Sequence, residues 1–220
     1  MRNNVKAWTT ASPKVKVRVT PEYNRVLKNA TDKDLLDIQT SLSTLQGWYS
    51  HSAGFRNELY KAAEILVRYF RYDPYRGPVY RAIEVRKSFS KLSIEGKFLK
   101  ANVAHPVASS WTTSISNAIN FGKAHHNTFV VVKLSSPGLQ LFNSNWFLSV
   151  LPALHKLLKA VKKQRNKSLD KDLLYDCLNY VIDLNNNEYL EGEDEIVMRL
   201  PNKVKIQVAA LINDRIVRSA

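Results

Sequence analysis

The apolar residues of this chain change their period repeatedly, and that change limits the folds open to it. Leu35, Ile38, Leu42 and Leu45 recur at helical spacing, and so do Leu59, Ala63, Leu66, Val67 and Phe70. The stretches Val79 to Val85 and Thr128 to Leu134 read as strands instead. Helical spacing returns in Val150, Leu151, Leu154, Leu157, Leu158 and Val161, and again in Leu173, Leu174, Cys177, Leu178, Val181 and Ile182. Strand character closes the sequence at Glu195 to Leu200 and Val204 to Leu211. Helices come early and in one late insertion, with strands between. That grouping predicts an α+β fold, not the regular alternation of a parallel α/β sheet.

Local signals punctuate the pattern. Lys14 to Val19 alternates basic residues with valine, as a strand with one wet face does. Thr31, followed by Asp32 and Asp34, marks a helix start, because a hydroxyl can cap the first free amides and acids suit the positive end of the helix dipole. Gly47 and Gly54 are expected to bracket a break between the first two long helices. The expected organisation is one domain over 1–220, with a mostly helical part at 1–75, a catalytic β core at 78–211 and a helical insertion at about 143–187.

Charge and cysteine content bound the partners and the compartment. Thirty-three Lys and Arg stand against nineteen Asp and Glu, a net charge of +14. Such a balance favours acidic partners: nucleic acid, an acidic protein face, or a nucleic-acid-bound machine such as those of transcription or translation. It also keeps a surface soluble. Cys177 is the single cysteine, so no internal disulfide forms. No apolar run approaches the ~20 residues that span a bilayer, so no membrane partner is expected. Met1 to Lys16 is polar and lacks the apolar core of a secretory signal. A cytoplasmic location is the expectation.

Three short segments carry chemistry. In Val79-Tyr80-Arg81-Ala82-Ile83, strand alternation puts Arg81 on the face of Val79 and Ile83. A guanidinium there needs an anion, because it cannot shed its charge; an internal salt bridge, an outward-reaching side chain or a bound anionic ligand each meets that need. Ser109-Ser110-Trp111-Thr112-Thr113-Ser114 is a hydroxyl cluster entering a helix. Ser114 or Ser116 can cap that helix, or the small hydroxyls can floor a site and hold a carboxylate. Ala118 and Phe121 follow it as packing residues. Glu193-Asp194-Glu195 places two carboxylates two apart at a strand start, an acid/base device or a solvated acidic turn. The neighbouring His125 and His126 have no accompanying ligand set and read as a surface pair, so no metal is expected.

In this order, the three segments resemble the arginine–serine–glutamate class of mono-ADP-ribosyltransferases. The resemblance covers about residues 78–201 and rests on Tyr80-Arg81, on Thr112-Thr113-Ser114 with Ala118 and Phe121, and on Glu193-Asp194-Glu195 running into Ile196-Val197-Met198. It is closest to the small enzymes that tailed phages bring into bacteria, where an aromatic residue, here Trp111, precedes the hydroxyl triplet. Two departures stand out. Thr112 occupies the position of the family's first serine, and Asn143 to Asn187 matches no family motif.

The resemblance implies two small β-sheets packed at a steep angle, with NAD in the cleft between them. It implies transfer of ADP-ribose from NAD to an arginine of a target protein in the host bacterial cytoplasm, with release of nicotinamide. Arg81 would hold the diphosphate. Thr112, with Thr113 and Ser114, would line the nicotinamide ribose. Glu195 would stabilise the charge that develops on that ribose, Glu193 would receive the acceptor guanidinium, and Tyr189 would contact the target. Two other readings remain open. One is an ADP-ribosyltransferase whose acceptor is nucleic acid or a protein held on it. The other is a basic nucleic-acid-binding module with no catalysis, suggested by the lysines between Lys156 and Lys171.

Overall fold

A computed structural model describes residues 17–51, 58–84, 98–101, 109–126, 128–135, 139–164, 168–186, 195–199, 204–213 and 216–219. The fold is α+β, as expected, and the chain divides into two compact units. One comprises Met1–Asp73 and Ser144–Gly192, the other Pro74–Asn143 and Glu193–Ala220.

The first unit is helical. It contains α1 (Pro21–Lys28), α2 (Asp32–His51), α3 (Leu59–Tyr69), α5 (Ser144–Lys163) and α6 (Lys171–Asn185). A two-stranded antiparallel ribbon joins β1 (Arg18–Val19) to β2 (Phe70–Arg71). Of the expected Lys14–Val19 strand, Lys14 to Lys16 lie outside the described residues. The helix starts follow from local chemistry. Thr20 caps α1 by accepting from the Tyr23 amide at 3.3 Å, and Pro21 supplies a preset φ in the first turn. Thr31 and Asp34 cap α2 reciprocally: the Thr31 hydroxyl accepts from the Asp34 amide at 3.3 Å, and the Asp34 carboxylate accepts from the Thr31 amide at 2.9 Å. Asp170 caps α6 by accepting from the amides of Asp172 and Leu173 at 2.9 and 3.1 Å.

In α2 and α5 the helical periods bury what they are expected to bury. Leu35, Ile38, Leu42 and Leu45 of α2 are sealed, as are Val150, Leu151, Leu154, Leu157, Leu158 and Val161 of α5. Helix α2 packs on α3 and α6, and α5 packs on α6 and α1. The late helices therefore share one unit with the N-terminal ones, where the sequence suggested an insertion into the β core.

Three local expectations are corrected. Gly47 lies inside α2, which runs through to His51; a single glycine costs a helix only about 1 kcal/mol, less than the buried leucines return. Gly54 lies outside the described residues. Val67 and Phe70 do not complete the α3 stripe. Val67 falls on the flank and is exposed, and Phe70 is extended, ending the helix and pairing with Val19. Ala62, Ile65 and Tyr69 complete the buried face instead.

The second unit is a sheet with one helix. Its strands are β3 (Val79–Glu84), β4 (Phe98–Ala101), β5 (Ser109–Thr112), β6 (Thr128–Leu134), β7 (Leu139–Asn143), β8 (Glu195–Arg199), β9 (Val204–Asn213) and β10 (Ile216–Ser219), and its helix is α4 (Ile115–His125). All pairings are antiparallel, in the order β10-β9-β6-β3-β5-β8-β7, with β4 on β9 beside β10. One face carries Val79, Trp111, Val130, Val132, Leu134, Ile196 and Met198. The other carries Ala82, Phe129 and Val131, packed with Ala118 of α4. Gly122 lets α4 sit close, since a Cβ there would stand 2.2 Å from the Phe129 ring.

Two separate small sheets were expected, and the hydrogen-bonded path is instead continuous. Its weakest link is narrow. Strand β3 shares six registered pairs with β6 but only one with β5, Tyr80 to Thr112. That one-pair seam links β10-β9-β6-β3 to β5-β8-β7 in one sheet, where two sheets packed at a steep angle were expected. The second sheet among the described residues is the β1–β2 ribbon of the helical unit.

Candidate active site

Of the sequence-derived site residues that the structure describes, Thr112 and Glu195 meet at the seam. Thr112 registers with Tyr80 of β3 on one side and with Glu195 of β8 on the other. Directly paired residues of an antiparallel ladder share a face. Tyr80, Thr112 and Glu195 therefore form one row across three adjacent strands. These positions are far apart in sequence, and only the antiparallel register brings them together. The row lies on the face that carries Ala82 and Val131 and that α4 covers.

Glu195 is 5% exposed, at the first position of β8. Among the described residues only Asp34 is another buried acid. Asp34 has an evident structural reason: it pairs with Arg25 and accepts from Thr31. Burial pushes its carboxyl up, but the bonds from Arg25 and Thr31 outweigh that and hold it below the usual range. Glu195 belongs to the sheet row instead.

Arg81 lies one residue along β3, half-buried and opposite Val132. Alternation gives it the face of Val79 and Ile83, as expected, and not the face of the Tyr80–Thr112–Glu195 row. Among the described residues, Tyr80 to Thr112 is the one registered pair between β3 and β5. The hydroxyl triplet serves local structure. Thr112 Oγ1 accepts from the Ser114 amide at 3.1 Å, and Ser114 Oγ caps α4 by accepting from the Asn117 amide at 3.3 Å. Ser114 and Ser116 hydroxyls lie 2.7 Å apart. Thr113 is half-buried in the turn between β5 and α4. Glu193 and Tyr189 lie outside the described residues.

Ala118 packs in the core, but Phe121 does not. Phe121 is 56% exposed, its ring 4.4 Å from that of His125. Helix α4 turns Ala118 inward to Ala82 and Phe129, and a residue three further on leaves that narrow face. Among the described residues no cluster of His, Cys, Asp or Glu could hold a metal ion. None of the helices they form is long and apolar enough to cross a membrane. Tyr80 enters the resemblance only as the neighbour of Arg81, with no site role of its own. Its place in the row follows from cross-strand register, which leaves no mark in the local pattern.

Comparison with protein families, with curated proteins and with solved structures finds no match for this chain.

Proposed function

We propose that this protein is an NAD-dependent mono-ADP-ribosyltransferase that modifies arginine in a target protein. One observation carries the reading. The arginine, hydroxyl and glutamate segments, widely separated in sequence, fall on the neighbouring strands β3, β5 and β8, with Thr112 and the buried Glu195 in direct register. The one-pair seam beside them is where a cleft between two sheets would open, and it is the natural seat for NAD in this reading.

NAD supplies a ribosyl C1′–nitrogen bond whose electron pair leaves with neutral nicotinamide. The chain's residues do the rest. Arg81 holds the diphosphate through two parallel hydrogen bonds. Thr112 supports Glu195 and the nicotinamide ribose. Glu195 stabilises the positive charge that grows on that ribose, the electrostatic effect that usually dominates such steps. Glu193 orients the acceptor guanidinium and takes the proton released as its nitrogen bonds to C1′. A guanidinium is almost fully protonated at neutral pH, so this second carboxylate is needed for an arginine acceptor.

The test is nicotinamide release from NAD together with transfer of labelled ADP-ribose to protein in a bacterial lysate. Glu195→Gln is expected to lower both by roughly 10²–10³ with an unchanged melting temperature. Glu193→Gln is expected to lose transfer and keep slow NAD hydrolysis. A folded Glu195→Gln variant with near-normal turnover removes the assignment. Wild-type protein that releases no nicotinamide points to a non-catalytic role, and label that nuclease but not protease removes points to a nucleic-acid acceptor.

A further inference from the structure

The helical unit carries a surface that the proposed chemistry does not use. Apolar residues seal one side of α5, and its outer side presents Lys156, Lys159 and Lys163, all exposed. Their spacing of three and four residues puts them on one face, over about 10 Å of helix axis. Helix α5 contains no Asp or Glu at all. A face that serves only solubility usually mixes both signs, with acids one turn from the lysines; this one does not. Beside it, Lys162 lies over the ring of Tyr175 of α6, 4.1 Å from the centroid, and that ring is 49% exposed. The nearby acids of α6 are engaged elsewhere or stand at its end: Asp176 accepts from Gln39 of α2 at 3.1 Å, and Asp172 lies in the first turn.

We infer that this face of α5, with Tyr175, binds the phosphate backbone of a nucleic acid without reading its sequence. Lysines are point charges without the planar fork that recognises one partner geometry. A regular row of them suits a polymer with one charge per repeat. A folded acidic surface, whose carboxylates are interspersed with cations, suits it less well. An exposed ring beside the row is the usual companion of such sites, since every base offers a face to stack on. The inference goes beyond the proposed transfer reaction and does not depend on it.

The experiment is anisotropy of a fluorescein-labelled, mixed-sequence single-stranded DNA of 20 nucleotides, titrated with full-length protein from low to high salt. The variant is K156E/K159E/K163E. Its control, K28E/K33E/K61E, makes the same change in net charge at exposed lysines elsewhere on the helical unit. The α5 variant is expected to bind at least about tenfold more weakly near 50 mM salt, with a salt slope shallower by roughly two, from ~0.7 per lost phosphate contact. The control is expected to stay close to wild type, and circular dichroism to show both variants folded. Nicotinamide release, if wild type has it, is expected to be unchanged in the α5 variant. Equal losses in the two variants would reduce the effect to bulk charge and overturn the inference. So would an α5 variant that binds like wild type. Wild-type protein that ignores DNA but binds poly-glutamate would reassign the face to an acidic protein.

Discussion

The two units of this protein are built on opposite principles. In the helical unit, each long element carries its instructions locally. Thr31 and Asp34 close the start of α2 within one turn, Asp170 does the same for α6, and apolar residues recur at the helical period on the buried side. In the sheet unit the elements depend on partners far away. Strand β5 is four residues long, and it is held by β8, some eighty positions later, and by a single pair with β3. The difference is one of local against long-range specification. Burial at the helical period, with capped starts to α1, α2 and α6, is what the helical unit rests on. The sheet unit instead depends on a four-residue strand and a one-pair seam, held in place only by segments far away in the chain.

That contrast can be tested first where packing is densest. Phe147 is fully buried in α5 and stacks on Tyr49 at 6.0 Å. Phe147→Ala is expected to destabilise the helical unit by about 3–5 kcal/mol, read as a lower denaturant midpoint. A loss below about 1 kcal/mol would mean that this core is loosely packed and that the contrast is overstated.

The seating of α4 provides the next test. Gly122→Ala would press a methyl against the Phe129 ring, itself 2% exposed. A cost of about 1–3 kcal/mol is expected. Because α4 begins at the Ser114 cap beside Thr112, nicotinamide release should fall further than the loss of folded protein explains. Normal stability together with normal release would show that α4 and the Thr112 row are mechanically independent.

Arg81→Lys sharpens the chemical side. Charge is kept but the planar fork is lost, so NAD affinity is expected to fall about tenfold, the worth of one charge-assisted hydrogen bond. Calorimetry would read it. Unchanged affinity would leave Arg81 as a structural residue of the face shared with Val79 and Val132.

The smallest expected effect is in pH. His155 is 8% exposed, and burial, then the neighbouring Lys159, push its pKa below the ordinary 6.5. The folded protein thus prefers neutral imidazole. Its contribution is complete above pH 6.5 and is lost as pH falls from there toward the folded value. Asp34, also lowered, adds a second loss beginning below its ordinary 3.8. Thermal melts from pH 8 to pH 5 should show a mild decline that His155→Leu removes. A decline of the same size in the variant would assign it to another group.

The amino-acid sequence by itself determined the α+β class, the apolar stripes of α2 and α5, the Thr31 cap, a hydroxyl cap for α4 at Ser114 or Ser116, and strands over Val79–Glu84, Thr128–Leu134 and Glu195–Arg199. These depend on side chains within a turn or two of one another, and solvent enforces them position by position. It also singled out Arg81, Thr112 and Glu195, but only as an order of residue types. Short β5 and β7, the end of α3 at Tyr69, the union of early and late helices in one unit, and the row of Tyr80, Thr112 and Glu195 were decided by tertiary structure. The physical reason is that strand pairing and helix packing are settled between segments far apart in the chain. A four-residue strand has too few side chains to declare its partner; its main-chain amides and carbonyls, alike in every residue but proline, find one only when the rest of the sheet is in place.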